Sequence, residues 1–324
     1  MTSRGYSAGG LLAALALVAA CGGSGEADSE STLTLYTCVS DTTIEPVIEQ
    51  FEQDNPGISV DLFRAPTGDL NARIASDVRS GGLQADVIWA CDPLTMQDYV
   101  DQGIVGGWTP DSDVPANLRT GDYVGVAILY MVTVSNNDVE PPRAWSDLTG
   151  DEYAGGVAVP DPAFAASALG ALGYFAQDPD YGIEFYADLE ENGAEQVSTP
   201  DDVVIGVAEG VYPAGITIAN SAYAAQEGGS PIETVWPEPG AIAIYGPAAL
   251  STDAADSKPA KDFLSYIAGE DGQRLIADSG SYPAQDGVPG PTMPADAPIV
   301  FPDWASVAAE KDQLLEEHQQ IFGG

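Results

Sequence analysis

Residues 33–63 read LTLYTCVSDTTIEPVIEQFEQDNPGISVDLF, and this stretch decides the fold class. Leu33-Thr34-Leu35-Tyr36 is a short strand. Over residues 43–54 the apolar side chains Ile44, Val47, Ile48 and Phe51 recur at helical spacing, and Asn55-Pro56-Gly57 stops the helix. Residues 58–63 form a second strand. Outward from there, Leu70, Ile74 and Val78 recur every four residues across 69–80, and Gly81-Gly82 closes that helix. Asp86-Val87-Ile88-Trp89 is a buried-type strand, and residues 93–102 form a short helix. A βαβαβα order of this kind predicts an α/β fold with a mostly parallel sheet.

Residues 123–134 form an apolar run rich in β-branched side chains, too long for one edge strand. It predicts a strand that leaves a first domain and enters a second. Strands follow at 157–159 and 214–218, with helices at 164–175, 181–191 and 200–209. Residues 241–245 predict a second crossing strand. Residues 258–277 read as two helices broken near Gly269, 283–302 as a proline-rich surface wrap, and 304–321 as a terminal helix. No uniformly polar linker separates the units, so the domains are expected to be interleaved.

The amino terminus is read as export machinery. Arg4 precedes the apolar residues 11–20, which are too few to span about 30 Å of hydrocarbon. Small residues then lead into Cys21-Gly22-Gly23. Residues 1–20 are therefore expected to be a signal peptide, and the Gly-, Ser- and acid-rich residues 21–31 a flexible tether. Ten Lys+Arg face fifty Asp+Glu, a formal net charge of −40. Nucleic acid is excluded as a partner, because phosphate binding needs a basic surface. Hydrophobic residues make up 44% of the chain, so acidity here does not imply disorder.

Several ordered segments resemble the type 2 periplasmic-binding fold, and within it the branch of ferric-iron, thiamine and phosphonate or phosphosugar receptors. They are Leu33–Tyr36 with its following helix, Asn55-Pro56-Gly57-Ile58, Ala85-Asp86-Val87-Ile88-Trp89, and Trp145-Ser146-Asp147-Leu148. With them go Tyr153-Ala154-Gly155-Gly156-Val157-Ala158-Val159-Pro160-Asp161-Pro162, Lys261–Ile267, Gly272-Gln273 and Tyr282-Pro283. The Cys21 context resembles a bacterial lipobox. The resemblance implies two interleaved α/β lobes joined by two crossing strands, with a ligand cleft between them. The expected boundaries are 32–128 with 245–288 for lobe 1, 129–244 for lobe 2, and 289–324 for a carboxyl-terminal wrap and helix. It further implies an exported monomer, held at the outer face of the membrane by acylated Cys21. Such a protein takes up a small molecule or ion and passes it to the permease and ATPase subunits of an ABC importer, with no cofactor.

Ligands in open parallel sheets sit beyond the carboxyl ends of strands. That rule selects Ser40 and Asp41 after the first strand, Cys91 and Asp92 after the third, and Asn220, Ser221 and Tyr223 after the 214–218 strand. Ser167 stands at a helix start beyond residues 157–159. Cys38 and Cys91 follow strands expected to be neighbours, and an exported chain permits a disulfide between them. Two free thiols or a soft-metal site are the alternatives. An anionic phosphonate or phosphate ester, the preferred ligand, would use Ser40, Ser167, Thr217 and Ser221. None of the arginines or lysines is expected at a strand end. A ferric ion would draw on Asp41, Asp92 and Tyr223, but no adjacent tyrosine pair, typical of ferric receptors, occurs in the chain. A cationic organic ligand such as thiamine or an amine would be boxed by Trp89, Tyr130, Tyr223 and Tyr245. For Trp89, inside a strand, a core role is the simpler reading.

An enzyme, such as a secreted hydrolase, is the competing class. The sequence has no Gly-x-Ser-x-Gly elbow, no His-Glu-x-x-His and no phosphate-binding Gly-x-x-x-x-Gly-Lys motif. Its one histidine, His318, is expected on the solvent face of the terminal helix. No catalytic residue and no resident metal is assigned.

Overall fold

The computed structural model describes residues 31–291 and 293–323. The predicted signal peptide, Cys21 and all of the tether but Ser31 lie outside them. Ser31 itself opens the first strand, β1 (Ser31–Thr37).

The amino-terminal units are α1 (Asp41–Asp54), β2 (Ile58–Arg64), α2 (Thr67–Ser80), β3 (Val87–Trp89) and α3 (Pro93–Asp101). A long strand β4 (Val124–Asn136) leads to β5 (Val157–Pro160), α4 (Ala166–Gln177), α5 (Glu184–Glu191), β6 (Glu195–Val197) and α6 (Pro200–Ala208). Then come β7 (Ala214–Ile218), α7 (Ala219–Glu227), β8 (Ile232–Val235) and a second long strand, β9 (Ala241–Leu250). The chain ends with α8 (Lys258–Ala268), α9 (Glu270–Asp278), β10 (Tyr282–Pro283), β11 (Ile299–Val300) and α10 (Trp304–Phe322). Local chemistry sets the breaks. Gly81, at φ 127°, ends α2 in a conformation that a Cβ would strain. Asp92 caps α3 by accepting the Thr95 N–H at 2.8 Å.

The strand order is β2-β1-β3-β9-β4-β7-β5-β6. The predicted parallel units are present at both ends: β1 pairs in parallel with β2 and β3, and β5 with β6 and β7. Between them, β4 and β9 pair antiparallel from Val124↔Ala248 to Met131↔Ile242. These are the two crossing strands. Both are longer than expected from the sequence, because their pairing continues into the flanking strands.

Two buried cores flank the crossing. One gathers Leu33, Leu35, Ile44, Phe51, Ile88 and Phe263; the other gathers Met131, Trp145, Leu172, Phe175 and Ile216. Each such side chain contributes roughly 1.5–3 kcal/mol by leaving water. The terminal helix α10 lends Val307 and Leu314 to the second core.

His318, expected in solvent, is buried instead. Its ring stacks on Phe322 with centroids 4.9 Å apart and meets Tyr186 edge-on at 4.9 Å. Nε2 has no hydrogen-bond partner, and burial lowers the pKa to about 4. The helix is polar in composition but lays one stripe against α4 and α5, and His318 lies on that stripe.

Candidate ligand-binding site

The register locates the site. Strand β3 runs toward descending β9 numbers, from Val87↔Leu250 to Trp89↔Ala248, and so heads for the middle of β4. Strand β7 runs along β4 from Ser135↔Ala214 to Met131↔Ile218, and so arrives from the other side. Two sets of strands thus point their carboxyl ends at Ala127 and Leu129, which form part of the wall of one cavity of about 120 Å³. A wider vestibule of about 1110 Å³ adjoins it and shares Ser40, Arg64, Asp201, Asn220 and Ser221.

Helix starts surround this cavity. Ser40 precedes α1, Pro66 and Thr67 begin α2, and Ala165 to Ser167 begin α4. Thr199 to Asp201 begin α6, while Ile218, Asn220 and Ser221 begin α7. The first N–H groups of a helix lack partners within it, and the dipole makes that end favourable to anions. At α1, α2, α4 and α7 no side chain caps the backbone. At α6, Thr199 and Asp202 cap each other's backbone in a capping box.

Arg64 is the cationic member of the wall. Its Nε donates to the Val39 carbonyl at 3.0 Å and lies 3.8 Å from Asp41 Oδ1. It ends β2, which corrects the expectation that no basic residue stands at a strand end. Among the described residues, Asp201 is the one carboxylate of the inner cavity wall. Trp89, read as core, has no exposed surface, yet it borders the cavity and its Nε1 has no partner. Asn220 Oδ1 is likewise enclosed and unpaired.

Cys38 and Cys91 form a disulfide, Cα–Cα 6.0 Å, and both line the cavity. The pairing removes the free-thiol and soft-metal alternatives, and it ties the loop after β1 to the loop after β3.

Of the residues named from the sequence, Ser40, Ser167, Asn220 and Ser221 share the inner cavity. Asp41 and Tyr223 lie in the vestibule, where the Tyr223 hydroxyl accepts the Trp236 indole N–H at 2.8 Å. Thr217, Asp92, Tyr130 and Tyr245 stand outside the cavity wall. Thr217 is sealed in the sheet, and its hydroxyl donates to the Pro200 carbonyl at 2.8 Å, which positions the start of α6. Asp92 is fully buried, and desolvation pushes its carboxyl above the usual range. Tyr130 packs edge-on against Tyr282 at 4.8 Å and beside Trp236 at 5.2 Å. Tyr245 meets Trp304 at 6.2 Å. The proposed aromatic box is therefore not assembled. The iron set is not either, since Asp92 is fully buried and lines neither the cavity nor the vestibule that Asp41 and Tyr223 share. Among the described residues no group of three His, Cys, Asp or Glu side chains is placed to hold a metal ion. Arg64, Thr67, Phe164 and Thr199 are wall residues that sequence reasoning missed.

Relatives of known name share parts of this sequence. The spermidine/putrescine-binding periplasmic protein of Escherichia coli K12 is 27% identical over 174 residues, 52% of this chain and 50% of that protein. Its Salmonella typhimurium counterpart is 24% identical over 223 residues, 64% of each. The chain thus spans between half and just under two thirds of the length of the curated relatives it matches. Among solved structures, the periplasmic binding protein AfuA of Actinobacillus pleuropneumoniae, with exogenous fructose-6-phosphate bound, superposes with a TM-score of 0.81. The match covers 91% of this chain and 99% of AfuA at 18% identity. Iron-bound HitA of Pseudomonas aeruginosa gives 0.77 over 89% and 99%, also at 18% identity. These likenesses show the fold, a two-lobed periplasmic-binding architecture. The sequence profile described as bacterial extracellular solute-binding protein matches residues 33–281, well over half of the chain. With its two sheet halves threaded by β4 and β9, the chain belongs to the bacterial extracellular solute-binding protein family.

Proposed function

We propose that this protein is the receptor of an ABC importer, and that it captures a small organic oxyanion, a phosphonate or phosphate ester, without chemical turnover. In this reading lobe 1 comprises 32–128 with 245–288, and lobe 2 comprises 129–244. Acylated Cys21 holds the monomer at the outer face of the membrane. One observation carries the ligand class: five helix starts and the Arg64 guanidinium surround a cavity with a single carboxylate among the described residues. In a chain of net charge −40, Arg64 set against Asp201 leaves the side-chain charge of the inner wall near neutral, and the helix starts tip it toward anions. Each charge-assisted hydrogen bond to an oxyanion is worth roughly 1.5–3 kcal/mol. Contacts to both lobes at once stabilise the closed form.

AfuA, the structural relative named with a sugar phosphate, has the kind of ligand this wall suits. The curated relatives are named for polyamines, which are donor-only cations, and the inner wall offers them Asp201 as its one carboxylate. Titration calorimetry with glycerol 3-phosphate, methylphosphonate, inorganic phosphate, spermidine, putrescine and ferric citrate tests the reading. Saturable binding of an oxyanion, weakened roughly 10- to 100-fold in Arg64→Gln, is the expected result. Tight binding of spermidine or ferric ion, unaffected by Arg64→Gln, would overturn it.

A further inference from the structure

We infer that Trp89 is a specificity residue: its indole N–H hydrogen-bonds an acceptor oxygen of the bound solute and turns away donor-only cations. The inference rests on the oxyanion reading and sharpens it. Trp89 is 0% exposed, and Nε1 has no hydrogen-bond partner. An enclosed donor left unpaired costs about 1–3 kcal/mol, which a bound acceptor oxygen would recover, and Trp89 is one such group that borders the cavity. The indole N–H is a donor only and cannot be satisfied by an ammonium.

Its place in the cavity is fixed by Gly246, a fellow wall residue on β9. A Cβ built on Gly246 would stand 3.5 Å from Trp89 Nε1 and 2.8 Å from the Ala90 carbonyl. Gly246 and Trp89 both border the cavity, and the missing side chain leaves the indole edge without a Cβ packed over it there, so a small shift of the wall brings the N–H to a solute. The sheet holds the Trp89 backbone, which pairs with Ala248 on one side and Thr37 on the other and accepts the Thr37 hydroxyl at its carbonyl at 2.8 Å, and the ring is packed in the first core. A donor so held selects by what it rejects: an amine seated here would leave the N–H unpaired and add a second donor facing it.

The test uses the whole chain labelled with 15N-tryptophan, and glycerol 3-phosphate, methylphosphonate and spermidine as probes. Of the five indole resonances, the one missing in Trp89→Phe is expected to move downfield with a phosphorus oxyanion. It should saturate at the affinity measured by calorimetry. Trp89→Phe should bind that oxyanion roughly 10-fold or more weakly. Its unliganded melting temperature should not fall through loss of the N–H. Spermidine should leave the resonance in place. If the variant does not fold, single replacements of the other four tryptophans assign the peak. An oxyanion that binds by calorimetry but leaves the Trp89 resonance unmoved overturns the role of Trp89 and spares the oxyanion reading. Absence of any oxyanion binding beside tight spermidine binding overturns both.

Discussion

Gly68 and Phe164 meet across the cleft. The Gly68 backbone N–H donates to the Phe164 carbonyl at 3.4 Å, and a Cβ at position 68 would lie 3.2 Å from Phe164 Cδ1. Gly68 sits in the first turn of α2, which follows β2, and Phe164 precedes α4, in the connection that follows β5. The contact therefore joins the two halves of the sheet at the rim of the cavity. Leucine is a better helix former than glycine, so Gly68→Leu does not weaken the first turn of α2 by propensity. Its Cβ would press on the Phe164 ring, which must give way for the two sides to meet. Unliganded Gly68→Leu is expected to melt no lower than the parent, while solute affinity falls roughly 10-fold through hindered closure. Calorimetry beside thermal melts checks this. Parallel losses of stability and affinity would mean that the glycine serves the fold of α2 and not closure.

The histidine of the terminal helix predicts an acid-side loss of stability. His318 has its pKa lowered to about 4 by burial, against an ordinary value of 6.5. The unfolded chain therefore binds this proton first, and folding resists it. The contribution of neutral His318 is complete above pH 6.5 and declines as the pH falls toward 4. The loss totals roughly 3 kcal/mol from this group. In His318→Leu that portion of the pH dependence should vanish, flattening the denaturant midpoint between pH 6.5 and 4. An unchanged slope would place the acid sensitivity among the carboxylates.

The contrast between Ser40 and Arg64 shows what can be read from the sequence. Both follow or end strands of the first half of the sheet. Ser40 is legible because the break between β1 and α1 is marked by a change of periodicity. Arg64 is not, because β2 extends one residue past its apolar run, and the rule of strand ends depends on that residue. Thr217, Tyr130 and Tyr245 lie in strands covered on both faces, where alternation does not tell which face meets a cleft. Helix α7 is hard to see as a helix, since Ala219–Glu227 carries only two buried side chains. His318 does have a signal: Val307, Leu314 and His318 recur at seven and four, the stripe of a packed helix.

The disulfide at the cavity floor predicts a coupled loss. Cys38 and Cys91 are 53 positions apart and close a loop that contains α1, β2, α2 and β3. Constraint of the unfolded chain by such a loop is worth about 2–4 kcal/mol. Both loops it joins carry cavity residues, Ser40 among them. Cys38→Ser with Cys91→Ser is expected to lower stability by that amount and to weaken solute binding, by denaturant melts and calorimetry. Lost stability with unchanged affinity would make the bond a staple of the fold alone.

Asp92 separates the cost of a buried charge from the value of a helix cap. Its side chain accepts the Thr95 N–H at 2.8 Å through Oδ1, while Oδ2 is enclosed without a partner. Desolvation raises its pKa above the usual carboxylate range, an effect that the Thr95 bond and nearby Lys311 only partly offset. A carboxyl whose folded pKa is raised favours the folded state below its unfolded pKa. That advantage disappears as the pH rises through the folded value, so the group favours folding less at neutral pH than in acid. An asparagine in its place would keep an acceptor for the Thr95 N–H and carry no charge. Asp92→Asn is thus expected to raise the melting temperature at about pH 7, with the difference shrinking toward the ordinary carboxylate range near pH 4. Asp92→Ala, which removes the cap as well, should fall below Asp92→Asn by about 1 kcal/mol. Melts of the three proteins across that range decide it. An Asp92→Asn protein that is less stable at neutral pH would show that the carboxylate is held by the field around α3, with Lys311 supplying more than desolvation takes away.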